Sequence, residues 1–323
     1  MSVPAGLAGL PTFLALDASL VLEGARRGAS VQLDRTYFRG QRAALQTLDV
    51  PSATRRRTAL ERSRELYEGI EVDFASVTEE ALWTASRRLR QLFRNAPEVR
   101  SLDAQFPGTC FVLPEWVRAG GEVKYGARVY LFRDGSAPEP DEILRANIEA
   151  TVDGTPAAFE RYQGRLHGYP ECCIEQFVDR DRGRQASPEL AAVDRIADRV
   201  DGDRLPATDP SVRIDDLLPT VFETADAYAF FAREFFPGPG CATARKTGIE
   251  LYETLLEGFP ETLVRDRFRL DIGWSFSVAR ASSDPGRSRP TPGALGREHL
   301  LFYLPLGTVL GLPRYRIDGE ETR

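Results

Sequence analysis

Leu82, Ala85, Leu89, Leu92 and Phe93 recur mostly at steps of three and four, whereas Arg87, Arg88, Arg90, Gln91 and Arg94 fall largely elsewhere. That period puts the apolar set on one face of a helix over about 77–94. Ser76-Val77-Thr78-Glu79 at its head fits a capping box. A second helix is predicted over 53–68, where Ala53, Leu60 and Tyr67 stand two turns apart on one side. The first hundred residues therefore read as helices. The pattern then changes. Cys110-Phe111-Val112-Leu113 and the run Ala127 to Phe132 are β-rich and separated by glycines, which predicts a small β element within 110–133.

From Pro156 onward the helical period returns. One helix is predicted to end near Leu166 and another to begin at Pro170. Others follow at 188–200, about 220–235, 241–257 and 260–280. The apolar segment His299 to Leu304 predicts a C-terminal strand. Between these lie segments rich in Asp, Arg, Gly and Pro at 179–188 and 199–215, and one crowded with Ser, Pro and Gly at 282–298. No internal repeat or coiled-coil period is present. The expected fold is mainly α (α+β), a helical bundle-like body with a small β element and a C-terminal strand. Asp134 to Pro140 is the first boundary. The expected organisation is a helical region with the β element over 1–135, a helical domain carrying the cysteine motif over 140–280, and a flexible loop and C-terminal segment over 281–323.

Composition narrows the function classes. With 323 residues, 42% hydrophobic and 28% charged, the chain can bury a substantial core and is not disordered throughout. A net charge of −6 gives no global attraction to nucleic acid or to an anionic membrane. Residues 1–100 hold 15 Arg against 12 acidic residues, too small an excess to carry a nucleic-acid reading by itself. Lys124 and Lys246 are the only lysines. The clusters Arg55-Arg56-Arg57 and Arg87-Arg88-Leu89-Arg90 can neutralise phosphates. Glu61, Glu65, Glu79 and Glu80 beside them favour ordinary salt-bridged helix faces. Leu300 to Leu312 is broken by Pro305, Gly307 and Gly311, and falls short of the ~20 apolar residues a membrane span needs. The N-terminus has no basic region leading into an apolar run. Four cysteines without a regular framework fit a reducing compartment. The expectation is a soluble, cytoplasmic protein with no membrane partner.

Chemistry concentrates at His167-Gly168-Tyr169-Pro170-Glu171-Cys172-Cys173. Gly168 suits the positive-φ end of one helix and Pro170 the start of the next. Glu171, Cys172 and Cys173 then occupy a first turn, where unpaired N–H groups and the helix dipole stabilise a thiolate. Cys241 follows Pro237-Gly238-Pro239-Gly240 and opens another helix. Three readings follow. Cys172, Cys173, Cys241 and His167 can ligate a metal, zinc being the ion that takes such sulfur and nitrogen donors. Cys172 can be a nucleophile or redox thiol with His167 as base, and Tyr169 and Glu171 as orienting groups. Cys172 and Cys173 can form a vicinal disulfide. A plainer reading stands beside these: Cys173 is one turn from Phe177, and Cys241 shares a stripe with Gly248, Tyr252, Leu255 and Phe259, so both thiols can be core. Tyr169 then packs on a neighbouring helix, Glu171 complements the dipole, and Cys110 and His299 are structural. A sulfur of the Cys172 pair within about 4 Å of the Cys241 sulfur would allow one shared zinc.

The run Gly168-Tyr169-Pro170-x-Cys172-Cys173-Ile174, with Phe177 after it, resembles the hallmark of an uncharacterised, mainly archaeal domain family with a G-Y-P-x-C-C-[VI] motif. That family has a downstream proline-cysteine loop before a helix, and Phe235 to Cys241 is similar to it. The resemblance spans about 155–280. Gly238 and Pro239 stand where a further cysteine is expected. It implies a site and names no reaction, substrate or metal. The function expected is a metal-binding or thiol-based Cys/His site at two helix starts, acting on an unidentified small-molecule or macromolecular substrate. The alternative is a non-catalytic interaction or RNA-associated protein that uses the Arg-rich helices, with structural cysteines.

Overall fold

The structure, a computed structural model, describes residues 6–47, 77–119, 122–178, 225–283 apart from 234 and 239, residue 295, and residues 297–315. The helices predicted at 53–68 and 188–200 and the cluster Arg55-Arg56-Arg57 lie outside these residues. Two compact units divide the chain. A sheet unit comprises Pro4–Gly168 and Leu300–Val309, and a cysteine unit comprises Met1–Val3, Tyr169–His299 and Leu310–Arg323. The 134–140 segment runs inside the sheet unit.

The sheet unit contains α1 (Thr12–Leu22), β1 (Gly28–Gln32), α2 (Arg35–Thr47), α3 (Glu79–Phe93), α4 (Pro97–Gln105), β2 (Cys110–Ala119), β3 (Glu122–Phe132), α5 (Pro140–Asp153) and α6 (Pro156–Leu166). The sheet is antiparallel in the order β1-β3-β2. The two predicted β runs extend toward each other until Ala119 pairs with Glu122. The first strand was not expected. Gly28-Ala29-Ser30-Val31-Gln32 carries little β signal of its own. It is held by pairing with β3, from Gly28 opposite Phe132 to Gln32 opposite Arg128.

One face of the sheet buries Leu113, Tyr130 and Phe132 against Ile143 and Ala150 of α5 and Phe159 and Leu166 of α6. Asn147 of α5 reaches the backbone of β2. Its Oδ1 accepts from Trp116 N–H at 2.7 Å and its Nδ2 donates to Trp116 O at 3.0 Å. On α3 the cap is Thr78, which accepts from Ala81 N–H, so the box expected from Ser76 is displaced by two residues. Leu92, placed on the apolar face by its spacing, is 41% exposed. Ser86 is buried instead, because its hydroxyl accepts the Trp116 indole N–H at 3.0 Å.

The C-terminal strand expected over 299–304 is not formed. A short helix, α10 (Arg297–Leu301), is followed by turns and then by α11 (Leu306–Leu310). The apolar side chains of this segment are buried without a strand partner. Its carbonyls serve the start of α1: Thr12 N–H donates to Leu304 O at 2.9 Å and Phe13 N–H to Phe302 O at 3.3 Å. Helix starts have unpaired N–H groups, and here a tertiary segment satisfies two of them.

The cysteine unit contains α7 (Glu171–Val178), a 3₁₀ turn (Ala225–Ala229), α8 (Ala242–Gly258) and α9 (Glu261–Ser283). The helix expected at 220–235 is, in its described part, only that 3₁₀ turn, followed by irregular backbone. Buried Arg267 accounts for the difference. Its guanidinium donates to Phe231 O at 3.2 Å and to Asp271 at 2.8 Å, giving a non-helical carbonyl the partner it lacks. Tyr228, Tyr252 and Phe268 meet edge to face with centroids 5.0–5.9 Å apart. No described helix is long and apolar enough to cross a membrane.

Gly248 of α8 lies under the Tyr228 carbonyl, whose oxygen a Cβ would overlap. Gly→Ala in a helix interior ordinarily stabilises by up to about 1 kcal/mol. Here the sign reverses: Gly248→Ala is expected to destabilise by about 2 kcal/mol or more, read from urea unfolding midpoints. An unchanged or raised midpoint would show that the 3₁₀ turn does not press on α8.

Candidate metal centre

Gly168 ends the α6 segment with φ 71°, the left-handed conformation that its sequence position called for. Pro170 O then accepts from Cys173 N–H at 2.8 Å and Ile174 N–H at 3.1 Å, so α7 starts where Pro170 predicted. Cys172 and Cys173 fall in its first turn. They face different environments: Cys172 is exposed and Cys173 is 1% exposed.

The loop before α8 closes as a tight turn. Cys241 N–H donates to Gly238 O at 3.0 Å, and Gly240 takes φ 65° at the third position of that turn. Cys241 itself is the N-cap of α8, its sulfur accepting from Ala244 N–H at 3.4 Å. Oxygen side chains are the usual N-caps. Here a sulfur takes the role, and the turn carries it toward α7. Gly238 N–H points at Cys173 and donates to its Sγ at 3.2 Å. Gly238 is one of the two residues, with Pro239, that stand where the resembling family is expected to have a further cysteine. It contributes through its backbone. A Cβ there would overlap the Gln176 side-chain oxygen and lie 3.7 Å from Cys173 Sγ.

These two elements bring three sulfurs together. The Sγ atoms of Cys172, Cys173 and Cys241 all lie within 4.8 Å of one another, and Cys172 and Cys241 are 3.2 Å apart. All three are free thiols. Zinc–sulfur bonds of 2.3 Å in a tetrahedron separate sulfurs by about 3.8 Å, so the three sulfurs lie within about 1 Å of the separations one ion needs. Among the described residues no histidine or carboxylate joins the three sulfurs.

The thiols are electrostatically unequal. For Cys241, partial burial opposes ionisation, but the N–H groups of Ala244 and Thr243 and the thiols of Cys172 and Cys173 outweigh it, and its pKa falls below the ordinary thiol value. Cys172 moves the other way, through partial burial and the neighbouring Cys241. Burial likewise raises Cys173, against the lowering influence of Gly238 N–H. The sequence pointed to Cys172 as the activated thiol; the electrostatics favour Cys241. Cys110 sits in β2, and burial with nearby Asp103 pushes it up to about 12, as suits a core thiol.

His167, expected as ligand or base, belongs to the sheet unit. Nδ1 lies 2.7 Å from Gln163 O, and a carbonyl only accepts, so Nδ1 carries the proton. Nε2 then accepts from the Ser30 hydroxyl at 2.6 Å. Ser30 Oγ in turn accepts from Arg128, which is also paired with buried Glu115 at 2.6 Å. Burial, reinforced by Arg128 and Arg26, lowers the His167 pKa to about 3. Both ring nitrogens are engaged in the core, which explains the residue without a metal. Neither Ser30 nor Gln163 carried any sequence signal as its partner.

Tyr169 packs on Phe235 and Phe231, with centroids 4.4 and 6.0 Å away. Glu171 is exposed in the first turn of α7. His299 is buried against Trp274. In the described arginine cluster, Arg90 pairs with Asp141 at 2.6 Å and Arg87 bonds Thr84 at 3.3 Å. No protein-family model, characterised protein or solved structure matches the chain.

The two histidines set an acid limit on stability. Both have folded pKa values near 3, against 6.5 for the free side chain. Between those values the unfolded chain holds more protons, so acidification favours unfolding. The contribution is fully present above pH 6.5 and is lost as pH falls toward 3. From pH 6.5 to 5, still above the ordinary Glu value of 4.5, the histidines dominate. The unfolding free energy is expected to drop by up to about 1.4 kcal/mol per pH unit for each histidine. Denaturant titrations across that range, with His167→Gln removing one share of the slope, check this.

Proposed function

We propose that the chain binds a zinc-class metal ion through Cys172, Cys173 and Cys241 and presents it at the surface with one coordination position open. The observation that carries this reading is the convergence of three free sulfurs from two helix starts 69 residues apart in sequence. Soft thiolate donors select zinc and similar ions over magnesium or calcium. Three protein donors leave a tetrahedral ion one position for water or a substrate atom, the arrangement of catalytic rather than structural zinc sites. Such an ion supplies Lewis acidity at that position when bound.

The protein's own residues support the site in distinct ways. Cys173 is held inside by burial and by Gly238 N–H, the kind of outer hydrogen bond that fixes a ligand's orientation. Cys241 is held by the cap of α8, and exposed Cys172 faces the approach. Tyr169 packs with Phe231 and Phe235 just before α7, which anchors the segment that carries the first two thiols. The resemblance to the G-Y-P-x-C-C family agrees with a site here. His167 stands outside the ligand set proposed. In the described arginine cluster, Arg90 and Arg87 have local partners, as on an ordinary helix face.

Metal analysis of the purified, reduced protein is expected to find one ion per chain. Cobalt(II) substitution is expected to give a near-ultraviolet thiolate-to-metal charge-transfer band and the intense visible bands of a tetrahedral ion. Cys241→Ser is the informative variant because serine is itself a good N-cap. It is expected to abolish the cobalt spectrum while changing metal-free stability by no more than about 0.5 kcal/mol. Cys172→Ser and Cys173→Ser are expected to lose the spectrum too. A wild-type protein that takes up neither zinc nor cobalt would overturn the reading.

A further inference from the structure

The three thiols also differ in reach. Cys172 is exposed and Cys241 half-buried, with sulfurs 3.2 Å apart, already in van der Waals contact. Cys173 is 1% exposed and held by Gly238 N–H. The elements that carry Cys172 and Cys241, α7 and the turn before α8, are tied together by the Gly238–Cys173 bond, so the pair is positioned without the two sulfurs being joined. A disulfide needs a sulfur separation of about 2.05 Å, so the two sulfurs have about 1.2 Å to close from their 3.2 Å separation.

We infer that Cys172 and Cys241 form a reversible intramolecular disulfide when the protein meets a hydroperoxide, with Cys173 left as a thiol. A thiolate of the pair attacks the terminal peroxide oxygen. The O–O bond breaks, a sulfenic acid forms on that sulfur, and the remaining oxygen leaves as an alkoxide or hydroxide that takes up a proton. The partner sulfur then attacks the sulfenic sulfur. The S–O bond breaks, hydroxide departs as water with the proton of the partner thiol, and the S–S bond closes. In total two thiols lose two electrons and two protons, and the hydroperoxide is reduced to an alcohol and water, or to two waters from hydrogen peroxide. A dithiol reductant restores the pair by exchange.

The disulfide stands on the geometry of the sulfurs alone. Its consequence for the metal rests on the function proposed above. Oxidation removes two of the three donors, and Cys173 by itself does not retain the ion. The pair then acts as an oxidant-sensitive release for the metal, and bound metal in turn shields the two sulfurs from the peroxide.

Reduced protein treated with an equimolar amount of hydrogen peroxide, then alkylated and weighed intact, is expected to be two hydrogens lighter with two fewer alkylated cysteines. Cys172 and Cys173 share one tryptic peptide, so the variants assign the partner. Cys173→Ser keeps a side-chain acceptor for Gly238 N–H and is expected still to form the cross-link to the Cys241 peptide. Cys172→Ser and Cys241→Ser are expected not to form it. A cross-link that persists in Cys172→Ser, one formed between chains, or a wild type that accumulates only sulfenic or sulfinic acid would overturn the inference. A parallel sample loaded with zinc separates the two readings. Cross-link formation in a protein that never takes up zinc leaves the disulfide standing and removes the metal site. Zinc binding without any cross-link after removal of the ion does the reverse.

Discussion

The hydrogen bond from Gly238 N–H to Cys173 Sγ is the constraint that organises the cysteine site. It ties the first turn of α7 to the turn that precedes α8, and the other two sulfurs meet because those turns are held at that distance. The geometry of the second turn follows from glycine at two positions. Gly240 adopts the positive φ, and Gly238 gives its backbone close approach to Cys173. A side chain at 238 would compete with Gln176 for the same space. What looked from the sequence like a missing cysteine is a backbone donor in the fold.

Much of this arrangement was legible before any coordinates. Gly168 and Pro170 marked the end of one helix and the start of another, and Cys172 and Cys173 were placed in the first turn. The breaker Pro237-Gly238-Pro239-Gly240 marked the start at Cys241. Local rules decide such features, because capping and turn chemistry depend on a few neighbouring residues. The convergence of the two starts was not legible, since it depends on packing between segments 69 residues apart. The plainer reading of Cys173 as a core residue also contains part of the truth: it is buried, and it is buried beside two other sulfurs.

His167 shows the opposite limit. Its position next to the motif made it a natural partner for the thiols, but adjacency in sequence carried no information about where its ring points. Strand β1, which supplies Ser30, had no clear signal, so the hydrogen bond that occupies Nε2 could not be foreseen. The same holds for Leu300 to Leu304, where an apolar run predicted a strand. The backbone there serves the start of α1, and a need belonging to another helix overrode the local pattern.

That exchange between α1 and the late segment has a consequence for how the chain comes to be folded. Helix α1 is buried along nearly its whole length, and its opening N–H groups are satisfied by carbonyls almost three hundred residues downstream. During synthesis the sheet unit therefore remains uncovered at that edge until the region around 302–307 has emerged. The helices of the other unit are made entirely within that interval. A ribosome stalled short of residue 300 would leave this early, apolar helix without the carbonyls that satisfy its first N–H groups.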